Sequence, residues 1–219
     1  MTGTREQYLE AMGIPVWVPR GEVPAQTPDS PEPGGDWIGL QEAVRDCTRC
    51  DLHRGRTQTV FGVGSQDADL LIIGEAPGAE EDRRGEPFVG RAGQLLNAML
   101  GAIHLAREEV YIANILKCRP PNNRDPKPEE ATTCTPYLER QIELLQPRVI
   151  LALGRIAAQW LLQSDSPIGR LRGREFSFGE QETPLIVSYH PAYLLRSPLA
   201  KAKAWEDLLL VRQILRVQQ

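Results

Sequence analysis

Residues 68–74 (ADLLIIG) read as a continuous apolar strand closed by glycine. A strand with no polar alternation has no face for water, so it must be covered on both sides. Three further runs have the same character: 110–115 (VYIANI), 148–153 (RVILAL) and 185–189 (LIVSY). Between and around them lie segments with helical spacing: 37–44 behind a capping Asp36, 91–103, 128–145 with a proline near its start, 156–162 and 200–217. Strands that alternate with helices and are apolar throughout imply an α/β fold with a parallel sheet sandwiched between helical layers.

In such a sheet a ligand sits beyond the carboxyl ends of the strands. Three of the four ends carry polar chemistry. They read Gly74-Glu75-Ala76-Pro77-Gly78, then Asn114-Ile115-Leu116-Lys117-Cys118, then His190-Pro191-Ala192-Tyr193-Leu194-Leu195-Arg196. The third strand ends in Gly154-Arg155, which offers little. A carboxylate, an amide and an imidazole thus arrive at one edge. Each also has a plainer reading, as a tight turn, a cap and a core histidine. No Gly-x-x-x-x-Gly-Lys-Ser/Thr phosphate loop is present, and Gly62-Val63-Gly64 precedes the first strand, so it is no dinucleotide fingerprint.

All four cysteines fall into one pattern: Cys47-Thr48-Arg49-Cys50, then Cys118, then Cys134. A pair two residues apart with two distant partners is how a chain wraps thiolates around a metal or an iron–sulfur cluster. Four free buried thiols are the alternative. No signal peptide opens the chain, so a reducing cytoplasm is expected and disulfides are not.

The formal charge of −4 resides in residues 1–36, and the remainder is neutral overall, so charge neither excludes nor demands a nucleic-acid partner. Residues 20–35 (RGEVPAQTPDSPEPGG) are rich in proline and glycine and cannot bury enough surface to fold. Two regions are expected: a flexible tail over 1–35 and a folded domain over 36–219. No apolar run approaches the roughly 20 residues of a membrane helix.

With these residues in place, 37–217 closely resembles the family-four, iron–sulfur uracil-DNA glycosylases. The shared motifs are GEAPGAEED (74–82), GEPFVGRAG (85–93), NILKCRPP (114–121), HPA (190–192) and the four-cysteine spacing. The resemblance implies a three-layer α/β/α sandwich on a four-stranded parallel sheet. It implies hydrolysis of the N-glycosidic bond of deoxyuridine in DNA by a monomer. Glu75 would place or activate water, Asn114 would read uracil, and His190 would donate to its O2. Ala76 backbone groups and a stacked Phe88 would hold the base, and Glu81 would lie against uracil C5. The best-known branch of the superfamily has an aspartate at the Ala76 position. Leu194 or Leu195 would wedge into the DNA stack, with Arg196 and Lys117 on phosphate and further cations at Arg119, Arg124, Arg170, Arg172 and Arg174. Cys47, Cys50, Cys118 and Cys134 would hold a [4Fe–4S] cluster, with zinc as runner-up. An alternative is an iron–sulfur DNA-binding protein with a redox or sensing role and no glycosylase activity. Residues 5–20 resemble the N-terminal peptide of the bacterial clamp-loader psi subunit, which implies docking to a replisome component.

Overall fold

A computed structural model describes residues 35–216. The expected tail, with its docking segment at 5–20, lies outside the described residues apart from Gly35. The strands are β1 (Val63–Gly64), β2 (Leu70–Gly74), β3 (Tyr111–Asn114), β4 (Val149–Leu153), β5 (Glu175–Phe178) and β6 (Thr183–Ser188). They form one sheet in the order β1-β3-β2-β4-β6-β5. The central four, β3, β2, β4 and β6, are mutually parallel and are the four read from the sequence. Two short antiparallel strands, β1 and β5, extend the sheet to six and were not expected. β5 alternates exposed and half-buried residues, and β1 is only two residues long, so neither carries an apolar run.

The helices are α1 (Trp37–Arg45), α2 (Ala79–Arg84), α3 (Arg91–Ala102), α4 (Pro128–Leu145), α5 (Arg155–Leu161), α6 (Ile168–Leu171), α7 (Pro191–Arg196) and α8 (Lys201–Arg216). Asp36 caps α1 as expected, its carboxylate accepting from the Gly39 N–H at 3.0 Å. Successive residues of a strand point to opposite faces, and the two cores follow that rule. Leu71 and Ile73 of β2 pack with Leu40, Val44, Tyr137 and Ala157 of α1, α4 and α5. Leu70 and Ile72 pack with Leu96, Leu100, Leu194 and Leu208 of α3, α7 and α8. Helices therefore cover both faces of the four central strands, the three-layer arrangement expected. No helix among the described residues is long and apolar enough to cross a membrane.

One buried charge fixes the end of β6. Asp207 on α8 is 0% exposed. It accepts from Arg172 Nη2 at 2.8 Å and Nε at 3.1 Å, from the Ser188 hydroxyl at 2.8 Å and from the Gly173 N–H at 3.0 Å. Ser188 is the last residue of β6, two before His190, so this network holds the strand end that delivers the imidazole. Removing one partner of a buried pair leaves the other charge uncompensated. Asp207→Ala should therefore lower the unfolding free energy by about 3–5 kcal/mol, read as a lower urea midpoint at unchanged slope.

Candidate active site and cysteine centre

The parallel register brings the strand ends to one level. Gly74 pairs with Asn114, and Leu153 with Ser188. Beyond the strands the ladder continues, with Ile115 N–H donating to Gly74 O and Leu116 N–H to Glu75 O, both at 3.1 Å. Asn114 is 2% exposed, and its side-chain amide makes no hydrogen bond to another described residue. A methyl group built on Gly74 would lie 2.4 Å from Asn114 Oδ1 and 2.8 Å from the Phe88 ring. The amide and the ring therefore meet over a backbone position that has room for no side chain. The imidazole of His190 stacks on Phe88, with centroids 5.4 Å apart and planes 29° apart. Amide, phenyl ring and imidazole thus lie together at the carboxyl edge of the sheet.

Phe88 is held deliberately. Its φ of 53° lies in the left-handed region, which costs a residue with a side chain about 1–2 kcal/mol. Three contacts hold the loop there. Glu81 Oε1 accepts from the N–H groups of Val89 at 3.0 Å and Gly90 at 3.3 Å. Arg107 Nη2 donates to Pro87 O at 2.5 Å. Gly93 lets the Phe88 carbonyl come so close that a methyl there would sit 1.7 Å from the oxygen. The family resemblance implies Glu81 against uracil C5, and the structure gives its carboxylate a loop-holding contact. Arg107 was missed, and nothing in its local sequence marks it.

Two ionisable groups in the site are shifted in opposite directions. Glu75 is raised to about 7, first by burial and next by the negative charge of Asp125, against the opposing charge of Arg155. Asp125 and Arg155 pair at 2.9 Å. The third strand end therefore contributes Arg155 after all, and the rule about carboxyl ends would have found it. His190 is lowered to about 4, first by burial and then by Arg196, against Glu81. Its Nδ1 accepts from the Ala192 N–H at 3.1 Å, so the ring proton of the neutral imidazole sits on Nε2. Ala76, as the sequence reading placed it, follows Glu75 in the turn and is half-buried.

Several expected DNA contacts need correction. Lys117 is 1% exposed, its ammonium donating to Asn114 O at 2.9 Å and Gln141 Oε1 at 2.6 Å, so it reaches no phosphate. Leu194 is 1% exposed inside the core, whereas Leu195 is 38% exposed and beside exposed Arg196. A wedge must be free to move into the stack, so only Leu195 qualifies. Arg172 is engaged with Asp207 and Glu206. Arg124 is paired with Glu130, and Arg119 donates to Asn123, while Arg170 and Arg174 are exposed.

Cys47, Cys50, Cys118 and Cys134 all line one cavity with Arg49, Arg56, Lys117 and Tyr137. Arg56 Nη1 and the Lys117 N–H donate to the Cys118 and Cys134 sulfurs at 3.1 and 3.3 Å. Among the described residues Arg49 Nη1 and Tyr137 Oη find no partner at hydrogen-bond distance, although the Arg49 guanidinium lies over the Tyr137 ring and Cys47 is close enough to act on the phenol. Burial pushes the Cys134 thiol up to about 12 and raises Cys50 and Cys118. Among the described residues, no three Cys, His, Asp or Glu side chains stand close enough to hold one metal ion. Four cysteines around one cavity are a donor set that a metal centre would use.

A family model for the uracil DNA glycosylase superfamily matches residues 61–209. The chain is 46% identical over 177 residues to a type-4 uracil-DNA glycosylase of Archaeoglobus fulgidus, covering 77% of this chain and 89% of the relative. It is 41% identical over 182 residues to a protein of the same name from Sulfurisphaera tokodaii, covering 80% and 83%. A third, from Thermotoga maritima, is 45% identical over 160 residues, covering 72% and 82%. The site geometry makes one prediction of its own. Nitrogen-15 NMR should find His190 neutral and protonated on Nε2 from pH 6 to 8, its ring titrating only near about 4.

Proposed function

The chain belongs to the uracil DNA glycosylase superfamily, and from that premise we propose that it acts as a type-4 enzyme. It hydrolyses the N-glycosidic bond of deoxyuridine in DNA, releasing uracil and leaving an abasic site. The observation that carries this reading is that Asn114 and Phe88 meet over Gly74, with the His190 imidazole stacked on Phe88. A redox or sensing role without hydrolysis would give no reason for that convergence.

The target bond is buried inside a duplex, so the nucleotide must first leave the stack. Leu195 fills the space vacated, and Arg196 contacts phosphate. Phe88 stacks on the extruded base, worth about 1–3 kcal/mol, the same order as the unstacking cost. Asn114 donates to uracil O4 and accepts from N3–H, a pattern that cytosine reverses. Glu81 fixes the Phe88 loop and stands near uracil C5, where a thymine methyl would clash.

Bond breaking leaves positive character on the sugar and negative charge on uracil. The His190 Nε2–H donates to O2 as that charge grows, and backbone N–H groups around Glu75 and Ala76 assist. Preorganised donors of this kind are worth about 10²–10³ in rate each. Glu75, as a carboxylate, favours the cationic sugar and takes a proton from the attacking water. Arg155 favours that ionised form, whereas burial and Asp125 oppose it.

The cysteine centre has a structural role in this scheme. Cys47, Cys50, Cys118 and Cys134 would hold a [4Fe–4S] cluster, with zinc as the runner-up. When bound, that group supplies four metal–thiolate bonds tying the end of α1 to the loop after β3 and to α4. No step of the hydrolysis needs an electron.

Purified protein incubated with a uracil-containing oligonucleotide should yield alkali-labile sites and free uracil. Asn114→Ala and His190→Ala should each lower the rate about 10²–10³-fold, and the site assignment fails if neither does. The rate should rise with pH through about 7, where Glu75 ionises, and level off above it. Asp125→Asn removes a negative neighbour and should move that limb to lower pH, and Arg155→Gln should move it higher. An absorption band near about 400 nm, lost in acid, distinguishes the cluster from zinc.

A further inference from the structure

Lys117 was expected on DNA, and its actual position calls for another role. Its ammonium is buried against two neutral oxygens, Asn114 O at 2.9 Å and Gln141 Oε1 at 2.6 Å. No salt bridge to a carboxylate is found for it among the described residues. A buried cation surrounded only by neutral groups is costly and persists where other negative charge balances it. The candidate for that charge is the cysteine cavity, which lies at the backbone end of the same residue. Lys117 lines the cysteine cavity, its own N–H donates to Cys134 Sγ at 3.3 Å, and the next residue is Cys118. Cysteines holding a centre are thiolates, so a loaded centre supplies the missing negative charge.

The lysine is also fixed in place. Its carbonyl accepts from the Val60 N–H at 2.8 Å. Gln141 in turn donates to Phe61 O at 3.0 Å and to the Tyr111 hydroxyl at 3.3 Å. At its other end the ammonium grips the carbonyl of the residue whose side chain reads the base. Holding that carbonyl fixes the peptide plane after Asn114 and so the direction in which its amide is presented.

We propose that Lys117 is a positioning residue that joins the cysteine centre to base recognition: its charge is balanced by the ligating thiolates while its Nζ holds the Asn114 carbonyl. This gives the centre a defined effect on the site without electron transfer. It rests on the uracil-excision reading and on a redox-active cluster in the cavity.

The test compares wild type, Lys117→Met and Gln141→Glu, each purified with its cluster. The readouts are single-turnover uracil release, KM, the band near about 400 nm and the cluster's reduction potential. Lys117→Met keeps the length of the side chain and removes its charge and donors. It should retain the band, lose about tenfold in the rate of uracil release with little change in KM, and shift the potential to more negative values. The sign follows because a nearby cation stabilises the reduced, more negative cluster. A folded Lys117→Met protein with wild-type rate and potential overturns the proposal, and a slower one with unchanged potential overturns the link to the centre. If Lys117→Met does not fold, Gln141→Glu decides. Its carboxylate neutralises Lys117 and should also move the potential to more negative values, and an unmoved potential overturns the proposal. Wild type that releases no uracil instead removes the functional reading. Wild type that is active but lacks the band removes the centre, and with it the lysine's role.

Discussion

The pairing of Gly74 with Asn114 across β2 and β3 is the constraint on which the site depends. Parallel pairing in that register brings an amide-bearing residue level with the last residue of the neighbouring strand. Because that neighbour is glycine, the amide and the Phe88 ring can close over bare backbone. A register slip of one residue would turn Asn114 to the opposite face of the sheet. The buried, all-apolar strands prevent that slip, since either face exposed to the wrong layer would strand Ile or Leu side chains. Core packing and the placement of the Asn114 amide are therefore secured by the same ladder.

The second requirement is a rigid aromatic wall. Phe88 sits in a backbone region that residues with a side chain avoid. Glu81, Arg107 and Gly93 each oppose its relaxation from a different element: α2, the segment before β3, and α3. Strain of this kind survives only where the surroundings over-determine it. The result is a ring already held in place, which on the proposed reading leaves little ordering to be done when a base enters.

The parallel core was legible because every central strand is buried on both faces and so lacks polar residues. The site was legible for a related reason: Glu75, Asn114 and His190 are polar residues placed directly after those runs, where a parallel sheet exposes its carboxyl ends. What escaped reading lacked such a contrast. β1 and β5 are short edge strands whose residues serve pairing more than burial. Lys117 reads as a surface cation because lysine is rarely buried, and only the fold reveals that α4 brings Gln141 to meet it. Leu194 and Leu195 are equivalent in sequence, and the one-residue turn of α7 decides which faces the core. Arg155 was passed over because an arginine next to a glycine carries no pattern of its own.

Burial favours the neutral form of both Glu75 and His190 and so moves their pKa values in opposite directions, a division that the proposed chemistry uses. Removing water disfavours the charged form of each group, raising a carboxyl and lowering an imidazole. His190 at about 4 is far from any neutral pH and remains an uncharged donor, with its free proton fixed on Nε2 by the Ala192 N–H. A cationic imidazole would bring charge next to Arg196, which the same environment resists. Glu75 at about 7 is poised instead at the point of ionisation, where it can exist as a carboxylate and still accept a proton. Neighbouring charges then adjust each group: Arg196 and Glu81 act on the imidazole, and Asp125 and Arg155 on the carboxyl. On the proposed reading, burial thus provides a neutral donor for the uracil side and a titratable base for the sugar side, the separation that breaking a C–N bond into an anion and a cation requires.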